Sequence, residues 1–526
     1  ADGLKKDTLM KYIKPLSEAL SKKLGDRSPL GYEKHLLNGY RKGSRQYPIC
    51  RKRVSYTDMK EIKTFPFLRM SPNKSGFYTK RMVRRIKPFG SLASRTIGDI
   101  YGEYEKGGKN GIELAYDSLL RGKPGSCTKQ KIRGRWVNIA NKEPINGLDI
   151  HTTIDINIQD ITEKSLIEML TKTDAESGTA VVMDVKTGEV KAITNIGKNY
   201  AGVYAETRNH AVADELEPGS TFKVALDAGV VRPDDPVDTG NGIFMYAGSR
   251  MTDHNAHKGG YHVITAAQSI WYSSNIGVAK IILNGFGKRP QDFVDGLYAI
   301  GLNKTVKLNI PGEGHPIIKH PIKDRKNWSM TSLPWMSFGY ETQIPPIYTL
   351  MFYNAIANGG KMIKPIFVKE ICKDGVSLQK MSTEIINPQI CKPATLSIIQ
   401  QMLEDVVTKG TAKAVLSDYI KIAGKTGTAQ IAQGSAGYRG AGKKHRVSFC
   451  GYFPADNPQY SAIVVITAPR IGYPSGGTMS GGVVKNIAEQ IYAQGIQSAI
   501  TPNQPDTVHS HLPRIKNGNF KQTVFA

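Results

Sequence analysis

Ser220 and Lys223 form a pair of residues whose types and spacing suggest covalent chemistry. Pro218 and Gly219 stand just before an apolar run, and this pattern predicts that a helix begins near Ser220. Residues three apart share a helix face, so the lysine amine would lie beside the serine hydroxyl. A desolvated lysine is able to take the proton of a serine and make it a nucleophile. The pair therefore predicts an activated serine.

The pattern S-x-x-K is weak on its own because so short a pattern recurs by chance. It occurs at three other places in the chain, which are Ser71/Lys74, Ser126/Lys129 and Ser377/Lys380. The choice among the four matches depends on two polar clusters that follow Ser220.

The first cluster is residues 273–275, where Ser273 and Asn275 lie two apart between apolar segments. On a tight turn, such a hydroxyl and carboxamide converge on one cavity, where one relays a proton and the other binds a substrate amide. The alternative is an ordinary connection between two helices, in which Asn275 caps the second helix.

The second cluster is residues 425–428, Lys-Thr-Gly-Thr, in a segment of extended character. A glycine in a strand lets a substrate backbone pair along the strand edge, and a lysine with two hydroxyls is suited to hold a carboxylate. Residues 186–188 repeat the letters Lys-Thr-Gly, but they separate two predicted strands and indicate a hairpin turn upstream of the serine.

The order S-x-x-K, S-x-N, K-T-G is the set shared by β-lactamases and penicillin-binding proteins, and every match other than Ser220 fails either this order or the expected local context. From about residue 95 to about residue 484, the sequence resembles class B penicillin-binding proteins. The likeness also includes residues 111–113, 120–122, 153–155, 208–211 and 337–340. Residues 175–178 and 466–469 favour the division-specific, septal transpeptidases over the elongation-specific ones.

The resemblance implies a role for each matching residue. Ser220 would be the acylated nucleophile and Lys223 its general base. Ser273 would pass a proton toward the leaving D-alanine, Asn275 would hold the donor peptide, and Lys425 would support the proton network.

The resemblance also implies substrate-binding residues on the Lys-Thr-Gly-Thr segment. Thr426 and Thr428 would bind the terminal carboxylate of the donor peptide, with Gly427 between them. The backbone N–H groups of Ser220 and Thr428 would form the oxyanion hole, which stabilises developing negative charge.

The fold implied by the resemblance is α+β, with a mostly antiparallel central sheet covered by helices and an elongated N-terminal pedestal. We expect a basic, non-catalytic pedestal of the dimerisation or partner type over residues 1–150. The penicillin-binding transpeptidase domain would span residues 151–496, and a polar tail would span residues 497–526. Strands near both ends of the second segment predict a sheet assembled from distant parts of the chain.

The positive charge of the chain is concentrated toward its N-terminus. The net charge is +26, and residues 1–150 contain 33 Lys and Arg against 14 Asp and Glu, a net of +19. Basic runs such as residues 51–53 lack a groove-reading motif, so no nucleic-acid partner is expected. A solvated face, or one near anionic lipid head groups, is the interpretation that the pattern favours.

The sequence predicts no cofactor and no metal. The five cysteines are scattered without a C-x-x-C pair, and His254 and His257 lie in a loop-like stretch that gives a metal site little support. No apolar run approaches the roughly 20 residues of a membrane span, so the N-terminal anchor of the resembled class is expected to be missing from this sequence.

The resemblance implies partners and a location as well. The substrates would be peptidoglycan stem peptides ending in D-Ala-D-Ala, and β-lactams would inhibit the enzyme covalently. Partners would include a SEDS-type glycan polymerase and other divisome proteins. The catalytic domain would lie on the extracytoplasmic side of the cytoplasmic membrane, at the division septum.

Three alternatives remain open from the sequence. An elongation-specific transpeptidase of the same class shares all three motifs. A serine β-lactamase shares them too, but it has no need of a long N-terminal region. A noncatalytic divisome scaffold or β-lactam sensor would not need the intact set of Ser220, Lys223, Ser273, Asn275 and Lys425.

Overall fold

The computed structural model describes residues 6–43, 46–50, 52–80, 82, 85–132, 134–226, 231–432 and 444–500. The chain divides into two compact units, residues 1–83 and residues 84–526. None of the described helices combines the length and apolar character that crossing a membrane requires.

The first unit contains four helices. They are α1 (Lys6–Leu24), α2 (Pro29–Arg41), α3 (Tyr56–Ile62) and α4 (Pro72–Ser75). The helical spacing of apolar residues predicts α1, and its leucines and Ile13 are buried in a small core that also contains Tyr32 and Phe67. Pro15 lies inside α1, and the helix continues through it.

The second unit contains all the described strands and the remaining helices. The strands are β1 (Ser126–Ile132), β2 (Arg135–Lys142), β3 (Asp149–Thr152), β4 (Ser177–Asp184), β5 (Val190–Lys198), β6 (Tyr204–Glu206), β7 (Pro236–Asp238), β8 (Ile243–Tyr246), β9 (Ser249–Thr252), β10 (Val263–Thr265), β11 (Ile317–Ile318), β12 (Thr342–Gln343), β13 (Met362–Ile363), β14 (Val368–Lys373), β15 (Val376–Lys380), β16 (Ile385–Asn387), β17 (Ala423–Gln430), β18 (His445–Phe453) and β19 (Tyr460–Thr467). The helices are α5 (Ser94–Ile97), α6 (Gly111–Ala115), α7 (Asp117–Leu120), α8 (Ile156–Thr173), α9 (His210–Ala213), α10 (Ala266–Trp271), α11 (Asn275–Phe286), α12 (Pro290–Ile300), α13 (Ser332–Met336), α14 (Pro346–Ala357), α15 (Pro393–Thr408) and α16 (Gly481–Ile500). A 3-10 helix, Gly219–Leu226, carries the candidate nucleophile.

The central sheet has six strands in the order β17-β18-β19-β4-β5-β6, and every neighbouring pair is antiparallel. Both hairpins predicted from the sequence are present, as β4 with β5 and β18 with β19. The two hairpins meet where β19 pairs with β4, with Ile463 opposite Val181. The prediction of an antiparallel sheet assembled from distant parts of the chain is therefore confirmed.

Helices cover both faces of this sheet. Because side chains alternate along a strand, Val181 packs into one core and Val182 into another. The first core contains most of α14, which is buried along its whole length, and the second contains the apolar residues of α8 and α16. The α+β prediction is confirmed, and β17 forms one edge of the layered structure.

Candidate active site

The candidate nucleophile lies in the first turn of the 3-10 helix Gly219–Leu226. The predicted helix start is confirmed, with the tighter 3-10 geometry in place of an α-helix. A 3-10 helix has three residues per turn, so Ser220 and Lys223 are stacked one above the other. The helix is held by the hydroxyl of Tyr353, which donates to the Thr221 carbonyl oxygen at 2.7 Å. The backbone between Ser220 and Lys223 is thus anchored to α14 at Thr221.

Lys223 points into the protein and is fully buried. Its Nζ donates to the Ser273 carbonyl oxygen at 2.6 Å, to Asn275 Oδ1 at 2.9 Å and to Ser273 Oγ at 3.2 Å. The S-x-x-K motif is therefore joined to the S-x-N motif by three contacts to one amine.

Lys425 approaches the same hydroxyl from β17, the edge strand of the sheet. It is fully buried, and its Nζ lies 2.9 Å from Ser273 Oγ. The Ser273 hydroxyl consequently lies between two lysine amines, 3.2 Å from Lys223 and 2.9 Å from Lys425. Such a hydroxyl accepts a hydrogen bond from one amine and donates to the other once that amine is neutral, which is the arrangement of a proton relay.

The two buried amines cannot both keep an ordinary lysine pKa. Burial lowers the pKa of Lys223 to about 7, and the negative charge of Asp253 opposes this shift. Burial also lowers the pKa of Lys425 well below its usual value, and the positive charge of Lys223 adds to the effect. A neutral amine with a free electron pair is therefore accessible near pH 7, as a general base requires.

The turn at residues 273–275 joins α10 to α11, and Ser273 occupies the left-handed backbone region with φ 57°. Ser274 is the N-cap of α11, since its Oγ accepts from the Gly277 N–H at 2.8 Å. The alternative in which Asn275 caps the helix is wrong, because Asn275 is its first residue and its side chain bonds Lys223 and the Thr252 carbonyl oxygen.

The threonines of the second cluster lie on β17 with different exposures. Thr426 is buried and its Oγ1 lies 2.8 Å from that of Thr411, whereas Thr428 is exposed. A Cβ added to Gly219 would lie 3.7 Å from the Thr428 carbonyl oxygen, so β17 runs beside the start of the Ser220 helix. A Cβ on Gly427 would lie 2.3 Å from Ser448 Oγ, which shows how tightly this segment packs.

The other S-x-x-K matches have a different environment. Ser126 and Lys129 are exposed on β1, and Ser377 and Lys380 are exposed on β15. Ser71 and Lys74 are exposed at the short helix α4. Burial of the lysine therefore separates Ser220 from its three sequence equivalents.

A buried residue at the site that the sequence did not single out is Asp253, directly after β9. It is buried, and its carboxylate accepts hydrogen bonds from Ser274 Oγ and from the N–H groups of Asn275 and Ile276. In the sequence it stands next to His254, in a stretch for which the sequence suggests only a weakly supported metal site. No local pattern marks a lone aspartate as the support of a turn 20 residues away.

The described residues bring three possible metal ligands together away from this cluster. His151 Nδ1 lies 2.9 Å from Glu370 Oε1, and Cys372 Sγ is the third donor, all within 4.8 Å of one another. His254 and His257 belong to no such group in the described part of the chain. None of the catalytic candidates takes part in the three-donor group.

Comparisons with known proteins cover most of the chain. The sequence model of the penicillin binding protein transpeptidase domain matches residues 178–493, and that of the penicillin-binding protein dimerisation domain matches residues 2–152. The peptidoglycan D,D-transpeptidase FtsI of Escherichia coli K12 is 28% identical over 82% of this chain and 72% of its own. The probable peptidoglycan D,D-transpeptidase PbpC of Pseudomonas aeruginosa is 30% identical over 78% of this chain and 71% of its own.

Solved structures give the same result for the fold. The transpeptidase domain of penicillin-binding protein 3 from Burkholderia pseudomallei is 31% identical, with a TM-score of 0.54 over 68% of this chain and 98% of that domain. Penicillin-binding protein 3 from Mycobacterium tuberculosis, in complex with aztreonam, has a TM-score of 0.64 at 24% identity and covers 80% of this chain and 91% of its own.

Proposed function

The chain belongs to the penicillin-binding protein transpeptidase family, and from this premise we propose that it is a serine D,D-transpeptidase that cross-links peptidoglycan stem peptides. The observation that carries the proposal is the buried cluster in which the Ser273 hydroxyl bridges the amines of Lys223 and Lys425. The relatives named D,D-transpeptidases support this reaction over a noncatalytic role.

The first half-reaction forms an acyl-enzyme. Ser220 Oγ bonds to the carbonyl carbon of the penultimate D-alanine, and the peptide bond to the terminal D-alanine breaks. Neutral Lys223 takes the serine proton, and the bridging hydroxyl of Ser273 returns a proton to the leaving amine. The N–H groups of Ser220 and Thr428 bind the oxyanion of the tetrahedral intermediate.

The second half-reaction transfers the acyl group. An amine of a neighbouring stem peptide attacks the ester carbon, the bond to Ser220 Oγ breaks, and the serine regains its proton. Before the terminal D-alanine departs in the first half-reaction, Asn275 holds the donor peptide, while Thr426, Gly427 and Thr428 on β17 hold the carboxylate of that D-alanine. Because Lys223 is already desolvated, the site needs no further burial to supply its base.

The same proposal includes a role in septal cell-wall synthesis, supported by the relatives named FtsI. β-lactams would acylate Ser220, as the aztreonam complex of a structural neighbour suggests. We assign the enzyme to the extracytoplasmic side of the membrane, with a SEDS-type glycan polymerase and divisome proteins as partners. The extents 1–150, 151–496 and 497–526 remain our proposed domain limits.

The test is the intact mass of the protein during incubation with benzylpenicillin. We expect a stable adduct of one penicillin, which Ser220→Ala abolishes because the nucleophile is gone. Ser126→Ala is the matched control, since it removes the serine of an exposed S-x-x-K match, and it should leave the adduct unchanged.

The outcomes separate the competing functions. Rapid turnover of penicillin with no lasting adduct would identify a β-lactamase. A protein that forms no adduct and turns over no penicillin would be a scaffold. Adduct formation in Ser220→Ala would place the nucleophile elsewhere and contradict the proposal.

A further inference from the structure

Asp253 forms an unusually complete set of contacts with the turn that carries Ser273. One oxygen, Oδ2, accepts from Ser274 Oγ at 2.5 Å. The other, Oδ1, accepts from the N–H groups of Asn275 at 2.6 Å and Ile276 at 3.1 Å. Only 3% of the residue is exposed, so water does not substitute for these partners.

The turn needs such support because its backbone is not in a relaxed conformation. Ser273 has φ 57°, a left-handed conformation that residues with a Cβ adopt at a cost and keep only when their surroundings hold them. Asp253 fixes the next three residues, and the preceding Thr252 accepts from Asn275 Nδ2 at 3.1 Å. The end of β9 therefore holds the Ser273 side chain between the two lysines.

Asp253 contacts the turn that carries the catalytic candidates, but it is not itself one of the candidates. Its two carboxylate oxygens are occupied by hydrogen bonds from Ser274, Asn275 and Ile276, all of which belong to the turn or to the start of α11. It thus acts on the site through the turn and, as a nearby negative charge, through the field at Lys223.

We propose that Asp253 is a positioning residue for acylation: it holds the Ser273 hydroxyl and the Asn275 carboxamide against Lys223 and places a negative charge near that buried amine. The inference rests on the proposed function, because it assigns Asp253 a part in the same reaction. The carboxylate at the first turn of α11 also interacts favourably with the positive end of that helix, which helps to hold it in place.

The charged surroundings of Lys223 make the electrostatic part specific. Three titratable groups lie near this lysine in the described residues: Asp253 after β9, whose negative charge raises the pKa of Lys223, and Lys425 on β17 and His254, whose own pKa values are lowered by the charge of Lys223. Asp253 is the one among them that favours the charged amine. Its removal therefore makes Lys223 easier to deprotonate while it loosens the turn.

The experiment measures the rate of acylation by benzylpenicillin as a function of pH in Asp253→Asn. We expect the rate to fall by about 10- to 100-fold, because small misplacements of catalytic groups cost this much. We also expect the acidic limb of the profile to move to lower pH, since the negative charge that favours the protonated lysine is gone. A purely structural role would lower the rate without moving the limb.

A matched control exists in Asp184, which accepts from Lys186 N–H, Thr187 N–H and Thr187 Oγ1 at the β4–β5 hairpin. Asp184→Asn therefore weakens the same kinds of hydrogen bond in another turn. It should lower the melting temperature and leave the acylation rate and its pH limb unchanged. Equal acylation profiles for the two variants would overturn the inference.

Ser274→Ala separates the positioning effect of Asp253 from its electrostatic effect. It also tests the positioning role if Asp253→Asn does not fold. It removes the contact to Oδ2 together with the N-cap of α11, and it keeps the charge of Asp253. We expect a slower acylation with an unmoved pH limb, and an unchanged rate would contradict the positioning role. Acylation of the unmodified protein is the separate test of the proposed function, since failure there leaves no rate to compare.

Discussion

The letters Lys-Thr-Gly occur twice in the chain, at residues 186–188 and at residues 425–427, in opposite environments. Lys186 is exposed in a hairpin turn that Asp184 holds through the N–H and hydroxyl groups of Thr187. Lys425 is fully buried on β17 and bonds the Ser273 hydroxyl. The same three residues thus close a turn in one place and complete the candidate catalytic cluster in the other.

The difference comes from what each segment packs against. The hairpin segment meets the chain near Lys364, whose carbonyl oxygen would lie 2.5 Å from a Cβ added to Gly188. The β17 segment lies beside the 3-10 helix of Ser220, and burial there removes water from Lys425 and depresses its pKa. Chemistry in this protein therefore follows from the convergence of buried segments, and the motif alone does not provide it.

The largest expected effect follows directly from this contrast. Lys425→Ala should slow acylation by benzylpenicillin about 100-fold or more, because it removes one of the two amines that contact the Ser273 hydroxyl. Lys186→Ala, the matched change in the turn, should alter the rate less than twofold. Rates are measured by quenched mass spectrometry with both variants at one pH. Similar losses in the two variants would remove the distinction between the segments.

The sequence pointed to a candidate catalytic set because its members are tied by chemistry and keep their order along the chain, and the structure brings Lys223, Ser273, Asn275 and Lys425 of that set together. It also predicted both hairpins of the sheet, since alternation and turn residues are local signals. The pairing of Ile463 with Val181 across the centre of the sheet was predictable only in outline. Such a contact depends on packing between segments that are far apart in the sequence.

Two features of the site had no sequence signal. One is the 3-10 geometry of Gly219–Leu226, which depends on contacts such as the bond from Tyr353 to Thr221. The other is Asp253, whose importance arises from burial against a turn that is distant in sequence. Aspartate in a loop has many ordinary explanations, so only the folded structure shows which backbone groups it binds.

The pH dependence of acylation tests whether a buried lysine of the β17 cluster acts as the base. Burial lowers the pKa of Lys223 to about 7, so its neutral, basic form is lost as pH falls below that value. The acylation rate should therefore fall about tenfold between pH 6 and pH 5 and level off above pH 7. The measurement is the initial rate of adduct formation from pH 5 to pH 9.

Two controls make the pH result specific. Circular dichroism over the same range should show an unchanged fold, so that the loss of rate reports the site. Lys186→Ala should keep the same limb, because the turn lysine lies outside the cluster. A rate that stays constant from pH 5 to pH 7 would show that Lys223 is not the titrating base.

The smallest expected effect concerns the glycines of the two Lys-Thr-Gly segments. Gly427→Ala adds a Cβ 2.3 Å from Ser448 Oγ and 3.2 Å from Thr221 Cγ2, so β17 or the Ser448 side chain must shift beside the Ser220 helix. Gly188→Ala adds a Cβ 2.5 Å from the Lys364 carbonyl oxygen at φ 79°, a conformation that alanine disfavours. The first change disturbs the site, whereas the second strains the turn.

We therefore expect the two variants to affect different properties, acylation in Gly427→Ala and stability in Gly188→Ala. Gly427→Ala should slow acylation by roughly 3- to 10-fold with little change in melting temperature, because a side-chain hydroxyl is free to rotate away. Gly188→Ala should lower the free energy of unfolding by about 1–3 kcal/mol, since its clash is with backbone and its φ is strained, and it should leave acylation unchanged. Thermal unfolding and adduct kinetics on the same two proteins check both halves. If Gly188→Ala slowed acylation as much as Gly427→Ala, the two Lys-Thr-Gly segments would not be independent, and burial beside Ser220 would no longer explain their difference.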